Sequence, residues 1–295
     1  MRILVAGATG VIGHHLIPLL VASNHEVIGT TRTADKSERL KALGATPLVV
    51  DVFDRTYLVS MVREAHPDVI IEQLTDLSAG NRAANARLWK EGTRNLVDAA
   101  HTAGVRQFIT QSIAWVSAPG EGPADELEPL DLQAPEEPRR TTVEAAHTLE
   151  CAVAEMERGV MLRYGMLYGL GTWYAPDGPI AQQVRQGQMT ADEGVTSFLH
   201  VEDAARAAVL ALDWPPGIVN IVDDEPAKGT VWLPIYAAAL GAPAPPVVQS
   251  QPRAARGATN TKARQLLHWQ PVYPSWREGF LQVRQQWEKQ QEERS

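Results

Sequence analysis

A glycine cluster beginning at Gly7 limits what this chain can fold into more than any other feature. Residues 2–6, RILVA, form a short apolar run, and GATGVIG follows at once. Beyond it, Val11, Ile12, Leu16, Leu19 and Leu20 recur at helical spacing. The pattern is strand, tight loop, helix. Gly7 allows the turn, Gly10 lets the backbone approach a pyrophosphate, and Gly13 lets the helix pack close to the strand. The helix N-terminus supplies unpaired N–H groups and the positive end of a dipole. Thr9, Val11 and Ile12 share this loop and are cofactor-binding candidates with the three glycines. A glycine turn without a ligand is the alternative, but the strand before it and the helix after it favour a dinucleotide. Pro18 falls inside that helix and predicts a kink or a late start.

The same rhythm continues. Apolar strand runs at 26–30, 47–50, 68–74 and 106–111 alternate with helical patterns near 35–43, 55–65 and 82–103, the last ending at Gly104. Strands alternating with helices imply right-handed crossovers and a parallel sheet covered on both faces. Residues 117–139 break the rhythm with prolines and acids, and predict a long surface loop. A helix near 141–158 and a strand at 159–164 follow, and past Gly165 a Gly/Pro/aromatic texture begins. The last helix is expected near 276–291, ending in a solvated tail. The expected fold class is α/β: a Rossmann-type doubly wound parallel sheet over residues 1–165, with later elements returning to it. Residues 166–295 are expected to form mainly a smaller substrate-binding cap.

Composition narrows the setting. Of 295 residues, 44% are apolar and 21% charged, which supports a sizeable core and excludes a disordered chain. The formal net charge of −8 removes the simple electrostatic argument for nucleic-acid binding. Cys151 is the single cysteine, so no internal disulfide can form. No apolar run approaches the ~20 residues of a membrane span. The chain opens directly on a strand-like run, without a signal-peptide pattern. The expectation is a cytoplasmic protein without nucleic-acid, membrane or metal partners, as a monomer or a homodimer.

The GxxGxxG spacing resembles the short-chain dehydrogenase/reductase superfamily, in its extended and atypical, epimerase/dehydratase-like branches. Further stretches carry the resemblance along nearly the whole chain. Asp51-Val52 look like the pair that contacts adenine, and Gln73-Leu74-Thr75 sit where the fourth strand of that family reaches the cofactor. Gly92-Thr93-Arg94-Asn95-Leu96 look like its GTxNL helix segment, and LRYGMLYGLG (162–171) like the stretch lining the nicotinamide. The resemblance thus adds Gln111, Tyr164, Gly165 and Leu167 to the cofactor-binding candidates. An acidic residue ending the second strand would select NAD. Here that strand ends in Thr31-Arg32, and no carboxylate follows until Asp35. Arg32 can meet a 2′-phosphate and Thr31 can add a hydroxyl, so the reading favours NADPH, with a solvated loop arginine as the alternative.

The resemblance also exposes a gap. The superfamily reduces carbonyls with serine, tyrosine and lysine, the last two spaced YxxxK on one helix. RRTTVEAAHTLECAVAEM (139–156) contains neither tyrosine nor lysine. Registered on Glu150, the helix places Thr142 in the tyrosine slot and Ala146 in the lysine slot, with His147 turned about 100° away. Ile113 falls at the serine, Ser112 just before it, and Trp89 replaces a relay asparagine. Ser112 and Thr142 are the catalytic candidates, and Tyr164, Tyr168, His147 and His200 remain as others. Three readings stay open. Hydride transfer proceeds by proximity, worth about 7–11 kcal/mol in favourable cases, with a proton from water or substrate. Another residue has taken over the acid's role. Or the protein senses nucleotide without turnover.

Trp115, Tyr168, Trp173 and Tyr174 fall in loops expected near the nicotinamide and are the substrate-binding candidates, although loop stabilisation explains them equally well. Flat apolar walls suit a hydrophobic, polycyclic aromatic carbonyl substrate better than a sugar nucleotide. The chain resembles angucyclinone-type ketoreductases of aromatic polyketide antibiotic pathways, which also lack the Tyr/Lys pair. The expected activity is an NADPH-dependent ketoreductase, with a nucleotide-sugar epimerase or dehydratase and a nucleotide sensor as alternatives.

Overall fold

The computed structural model describes residues 1–76 and 81–293, so the last two residues of the polar tail lie outside it. The first half runs β1 (Arg2–Ala6), α1 (Val11–Ala22), β2 (Glu26–Thr31), α2 (Ser37–Ala42), β3 (Thr46–Val49), α3 (Arg55–Ala65) and β4 (Val69–Glu72). It continues through α4 (Arg82–Arg87), a π-helical turn (Leu88–Gly92), α5 (Thr93–Ala103), β5 (Gln107–Ile113), α6 (Glu137–Ala154) and β6 (Arg158–Tyr164). The remainder is β7 (Met166–Tyr168), α7 (Pro179–Arg185), β8 (Val195–Thr196), β9 (Phe198–His200), α8 (Val201–Leu210) and β10 (Gly217–Ile221), then β11 (Ala227–Lys228), α9 (Gly229–Ala239), α10 (Thr261–Gln265) and α11 (Trp276–Glu292).

Seven strands form one sheet in the order β10-β6-β5-β4-β1-β2-β3. β1 pairs in parallel with β2 and β4, and β4 in parallel with β5. The order reverses between β1 and β4, the switch point at which doubly wound sheets open a crevice beyond their carboxyl ends. The Rossmann-type α/β expectation therefore holds. α1 begins at Val11 and continues through Pro18, which is exposed, so the late start does not occur.

Two compact units divide the chain. The first comprises residues 1–116, 130–163 and 205–219. Its core includes Leu4, Ile70, Leu96, Val97 and Phe108, with a second apolar cluster built on Trp89, Val116, Val143, Ala146 and Leu149. The second comprises residues 117–129, 164–204 and 220–295, around an aromatic core of Tyr168, Phe198, Trp232, Tyr236, Trp276 and Phe280. The chain passes between the units several times.

Residues 117–136 form the long surface loop that their prolines and acids predict, pinned to the fold at several points. Ser117, Ala124, Asp131 and Ala134 are buried. Within the second unit, Arg256 donates to the carbonyls of Ala118, Glu121 and Gly122 and to the Glu128 carboxylate. Glu126 accepts from the Asn220 amide. Within the first unit, Arg139 binds Asp131 at 2.6 Å, and α6 starts at Glu137 rather than near 141. Acids that resemble a solvated face in sequence are acceptors for partners as much as 128 positions away.

Candidate active site

The loop after β1 is a cradle that only glycine can complete. Gly7 has φ +86°, and a Cβ there would lie 2.4 Å from the Gln73 carbonyl oxygen. A Cβ on Gly13 would lie 2.5 Å from the Ala8 carbonyl oxygen. The Gly10 amide closes the turn on the Gly7 carbonyl at 3.0 Å. Gly10 caps α1 without a side-chain bond, and no acid stands in the first helical turn. The helix therefore offers its free N–H groups to an anion. This cradle, carrying Thr9, Val11 and Ile12, fits a dinucleotide pyrophosphate.

At the end of β2, Thr31 departs from its expected role. It is buried, donates to the Thr33 carbonyl at 3.1 Å and accepts from the Thr33 amide at 3.3 Å. That closed local turn takes its hydroxyl away from a ligand. Arg32 is exposed and makes no ion pair among the described residues, so its guanidinium remains available. Asp51 accepts from the Phe53 amide at 2.9 Å, and the carbonyl of buried Val52 accepts from Asn95 at 2.9 Å.

The ends of β4 and β5 are braced from two sides. The Leu74 carbonyl accepts from the Gln111 amide at 2.8 Å and from the Trp89 indole at 3.2 Å. Thr75, the next residue, is exposed. Glu72 is buried, its two oxygens 2.7 Å from the Thr93 hydroxyl and 3.0 Å from the Thr110 hydroxyl. Burial without a cation pushes its carboxyl up to about 7. Sequence reading passed over Glu72, although an acid ending the apolar run VIIE was a visible signal. It also passed over the indole bond of Trp89.

Ser112 and Thr142 sit on β5 and α6, and their hydroxyl protons are already placed. Ser112 donates to Glu150 at 2.7 Å. Glu150 is buried with Arg163, which binds both its oxygens at 2.8 Å. Thr142 donates to the Pro138 carbonyl of its own helix at 2.8 Å. Ile113 and Ala146 belong with Trp89 to one apolar cluster. His147 is exposed beside Cys151 on another side of the helix, with Nδ1 3.6 Å from Sγ.

Of the four aromatic candidates, one lies in the first unit and three in the second. Trp115 lies in the first unit, half-buried, with its carbonyl accepting from Arg139 at 3.2 Å. In the second unit Trp173 is 44% exposed. Tyr168 is fully buried, its ring 5.0 Å from His200 and 5.2 Å from Phe280, and a Cβ on Gly279 would touch its hydroxyl. Tyr174 packs edge-on against Phe198 and Trp232. Burial pushes both phenols up, away from acid–base use. Tyr168 and Tyr174 are core residues, because α9 and α11 bring to them aromatics that the loop sequence alone does not reveal. Tyr164 is buried and donates to the Ala204 carbonyl at 3.2 Å, Gly165 backs onto the Ser197 carbonyl, and Leu167 pairs with Leu199. The imidazole of buried His200 accepts from the Glu202 amide at 3.3 Å and stacks on Tyr273.

Among the described residues no cluster of three or more His, Cys, Asp or Glu could hold a metal, and no helix is long and apolar enough to cross a membrane. A family model described as "NAD dependent epimerase/dehydratase family" matches residues 3–221. The chain is 43% identical over 305 residues to a 3-diazoavenalumate denitrifying reductase from Streptomyces sp, covering 95% of this chain and 99% of that protein. Its fold is similar to the UDP-glucose 4-epimerase of Thermus thermophilus in complex with NAD, with TM-score 0.74, 25% identity and coverage of 97% and 98%. It is also similar to the Bordetella bronchiseptica enzyme WbmG in complex with NAD and UDP, with TM-score 0.80, 20% identity and coverage of 98% and 95%.

Proposed function

This chain belongs to the NAD dependent epimerase/dehydratase family, and on that premise we propose that it is a nicotinamide-dependent reductase whose acceptor is an aromatic diazo compound. The cofactor supplies a hydride when bound to the cradle at Gly7, Gly10 and Gly13. The observation that carries the reading is the engagement of the protons at the β5–α6 wall. Ser112 donates into the Glu150–Arg163 pair and Thr142 into its own helix, while α6 holds no tyrosine or lysine. Reducing a ketone to an alcohol consumes a hydride and a proton. Reducing an aryl diazonium to the arene consumes a hydride alone and releases dinitrogen. A site short of an acid suits the second balance, and the name of the Streptomyces relative describes the same reaction class.

The polycyclic aromatic ketone expected from sequence is the second substrate class. Arg32, exposed and without an ion pair among the described residues, supports NADPH over NADH. The deciding experiment follows NADPH oxidation and dinitrogen release across 3-diazoavenalumate, simple aryl diazonium salts, aromatic ketones and sugar nucleotides. Dinitrogen equimolar with oxidised NADPH is expected. Turnover with ketones alone would return the chain to the ketoreductases. Tight NADPH binding without turnover on any acceptor would leave a nucleotide sensor.

A further inference from the structure

Three glutamines are buried in the first unit, and two of them are engaged. The Gln107 amide donates to the Leu212 carbonyl at 2.7 Å and the Gln111 amide to the Leu74 carbonyl at 2.8 Å. Gln73 is the exception. It is 5% exposed, yet among the described residues neither its amide nitrogen nor its side-chain oxygen has a hydrogen-bond partner. An amide kept from water without a partner destabilises the fold, so this one calls for a reason. Its position supplies one. The Gln73 N–H donates to the Ala6 carbonyl at 2.7 Å, which carries the β1–β4 ladder one residue past β4 and sets Gln73 level with Gly7. Side chains alternate across a strand. Leu4, Ile28 and Ile70 belong to the core cluster on one face of the sheet, where Glu72 also meets Thr93 of α5. Gly29 faces the other side, where a Cβ on it would lie 3.0 Å from the Ala8 Cβ of the glycine loop. Gln73, next after Glu72, falls on that second face, beside the loop that opens α1.

A carboxamide needs an acceptor for its N–H and a donor for its oxygen, side by side. The two neighbouring hydroxyls of a ribose supply that pair. Sheet order says which ribose of a dinucleotide is in reach. β1 lies between β2 and β4, and its glycine loop is the pyrophosphate cradle. With Arg32, just past β2, at the 2′-phosphate, the adenosine half of the cofactor lies on the β2 side of the cradle. The nicotinamide half then extends to the β4 side, where Gln73 stands. Resting on the nicotinamide-dependent reading above, we propose that Gln73 is a cofactor-binding residue that holds the nicotinamide-side ribose. Nε2 donates to one ribose hydroxyl and Oε1 accepts from the other. The polar atoms that the protein leaves unpaired are thereby satisfied by the cofactor, and binding relieves a cost that the free protein carries.

One variant separates that role from a structural one. Gln73→Leu removes the polar atoms with little change in volume. Without nucleotide it is expected to melt about 2–4 °C above wild type, because an unpaired buried amide is gone. Its NADPH dissociation constant, from fluorescence titration, is expected to rise about tenfold. Binding of 2′-phospho-ADP, which is NADPH without its nicotinamide riboside, is expected to stay within about twofold of wild type. Gln73→Met carries the same expectations, should the leucine variant not fold. An unchanged NADPH dissociation constant in a folded variant overturns the proposal and leaves the cofactor reading standing. Equal losses for NADPH and 2′-phospho-ADP overturn it too, because the amide would then serve the loop or the adenosine half. A wild type that binds neither nucleotide overturns the cofactor reading itself, and the proposal with it.

Discussion

At the carboxyl end of β1, backbone oxygens crowd Gly7 and Gly13 so closely that no side chain fits. At the carboxyl end of β5, Ile113 and Ala146 fill with hydrocarbon the places where the resemblance calls for a hydroxyl and an amine. Both regions stand at the same end of one sheet. The first is under a steric demand set by the ligand and the fold, and it matches the pattern completely. The second has a helix, α6, without tyrosine or lysine, and there the resemblance breaks off. Binding and chemistry are therefore separable here, and substitutions can test how cleanly.

The largest effect is expected at the cradle. Gly7→Ala forces a Cβ against the Gln73 carbonyl in a left-handed backbone, and NADPH titration by fluorescence should show at least a hundredfold loss of affinity, about 3 kcal/mol. Wild-type affinity in that variant would show that the loop is not the binding site. Next stands Glu150→Ala, which leaves the Arg163 guanidinium buried without its carboxylate. Denaturant unfolding should record a loss of about 3–5 kcal/mol, whereas NADPH affinity of the folded fraction stays near wild type.

Glu72 yields a pH signature. Its folded carboxyl titrates at about 7, above its ordinary value, so its contribution is fully present at low pH and is lost as pH rises from the ordinary carboxyl range through about 7. Thermal melts of Glu72→Gln should lack that decline and exceed wild type at pH about 8 by up to roughly 3 kcal/mol. Parallel curves for the two proteins would show that burial leaves the Glu72 carboxyl at its ordinary value. Arg32→Ala should weaken NADPH about tenfold and leave NADH unchanged, as expected for a charge-assisted phosphate contact. An unchanged NADPH dissociation constant removes the assignment. The smallest effect is expected from Thr142→Ala: less than a twofold change in kcat, because its hydroxyl serves its own helix. A large fall in kcat with unaltered KM would restore Thr142 as an acid.

What could be read in advance follows the range of the interactions. The cradle was legible because strand, glycines and helix are contiguous, and Gly104 ends its helix in the left-handed conformation its position predicts. Thr31 misled because a hydroxyl next to Arg32 looks like a ligand donor until the Thr33 turn is seen. The role of Glu72 depends on Thr93 and Thr110, 21 and 38 positions away. Tyr168 and Tyr174 looked like pocket walls because their loop is expected near the nicotinamide, while the rings that enclose them come from β9, α9 and α11. Arg256, which binds the 117–129 segment, is beyond any local pattern.

The π-helical turn at Leu88–Gly92 joins these two regions in a way that can be stated as phase. A π turn holds one residue more than the α-helical turn it replaces, and one residue is worth about 100° of rotation. Within the turn, the Trp89 indole reaches the Leu74 carbonyl; just after it, Thr93 meets the Glu72 carboxyl. The extra residue lets one rod serve two clients that differ in angle, and deleting it would turn every residue from Thr93 to Ala103 to a new face.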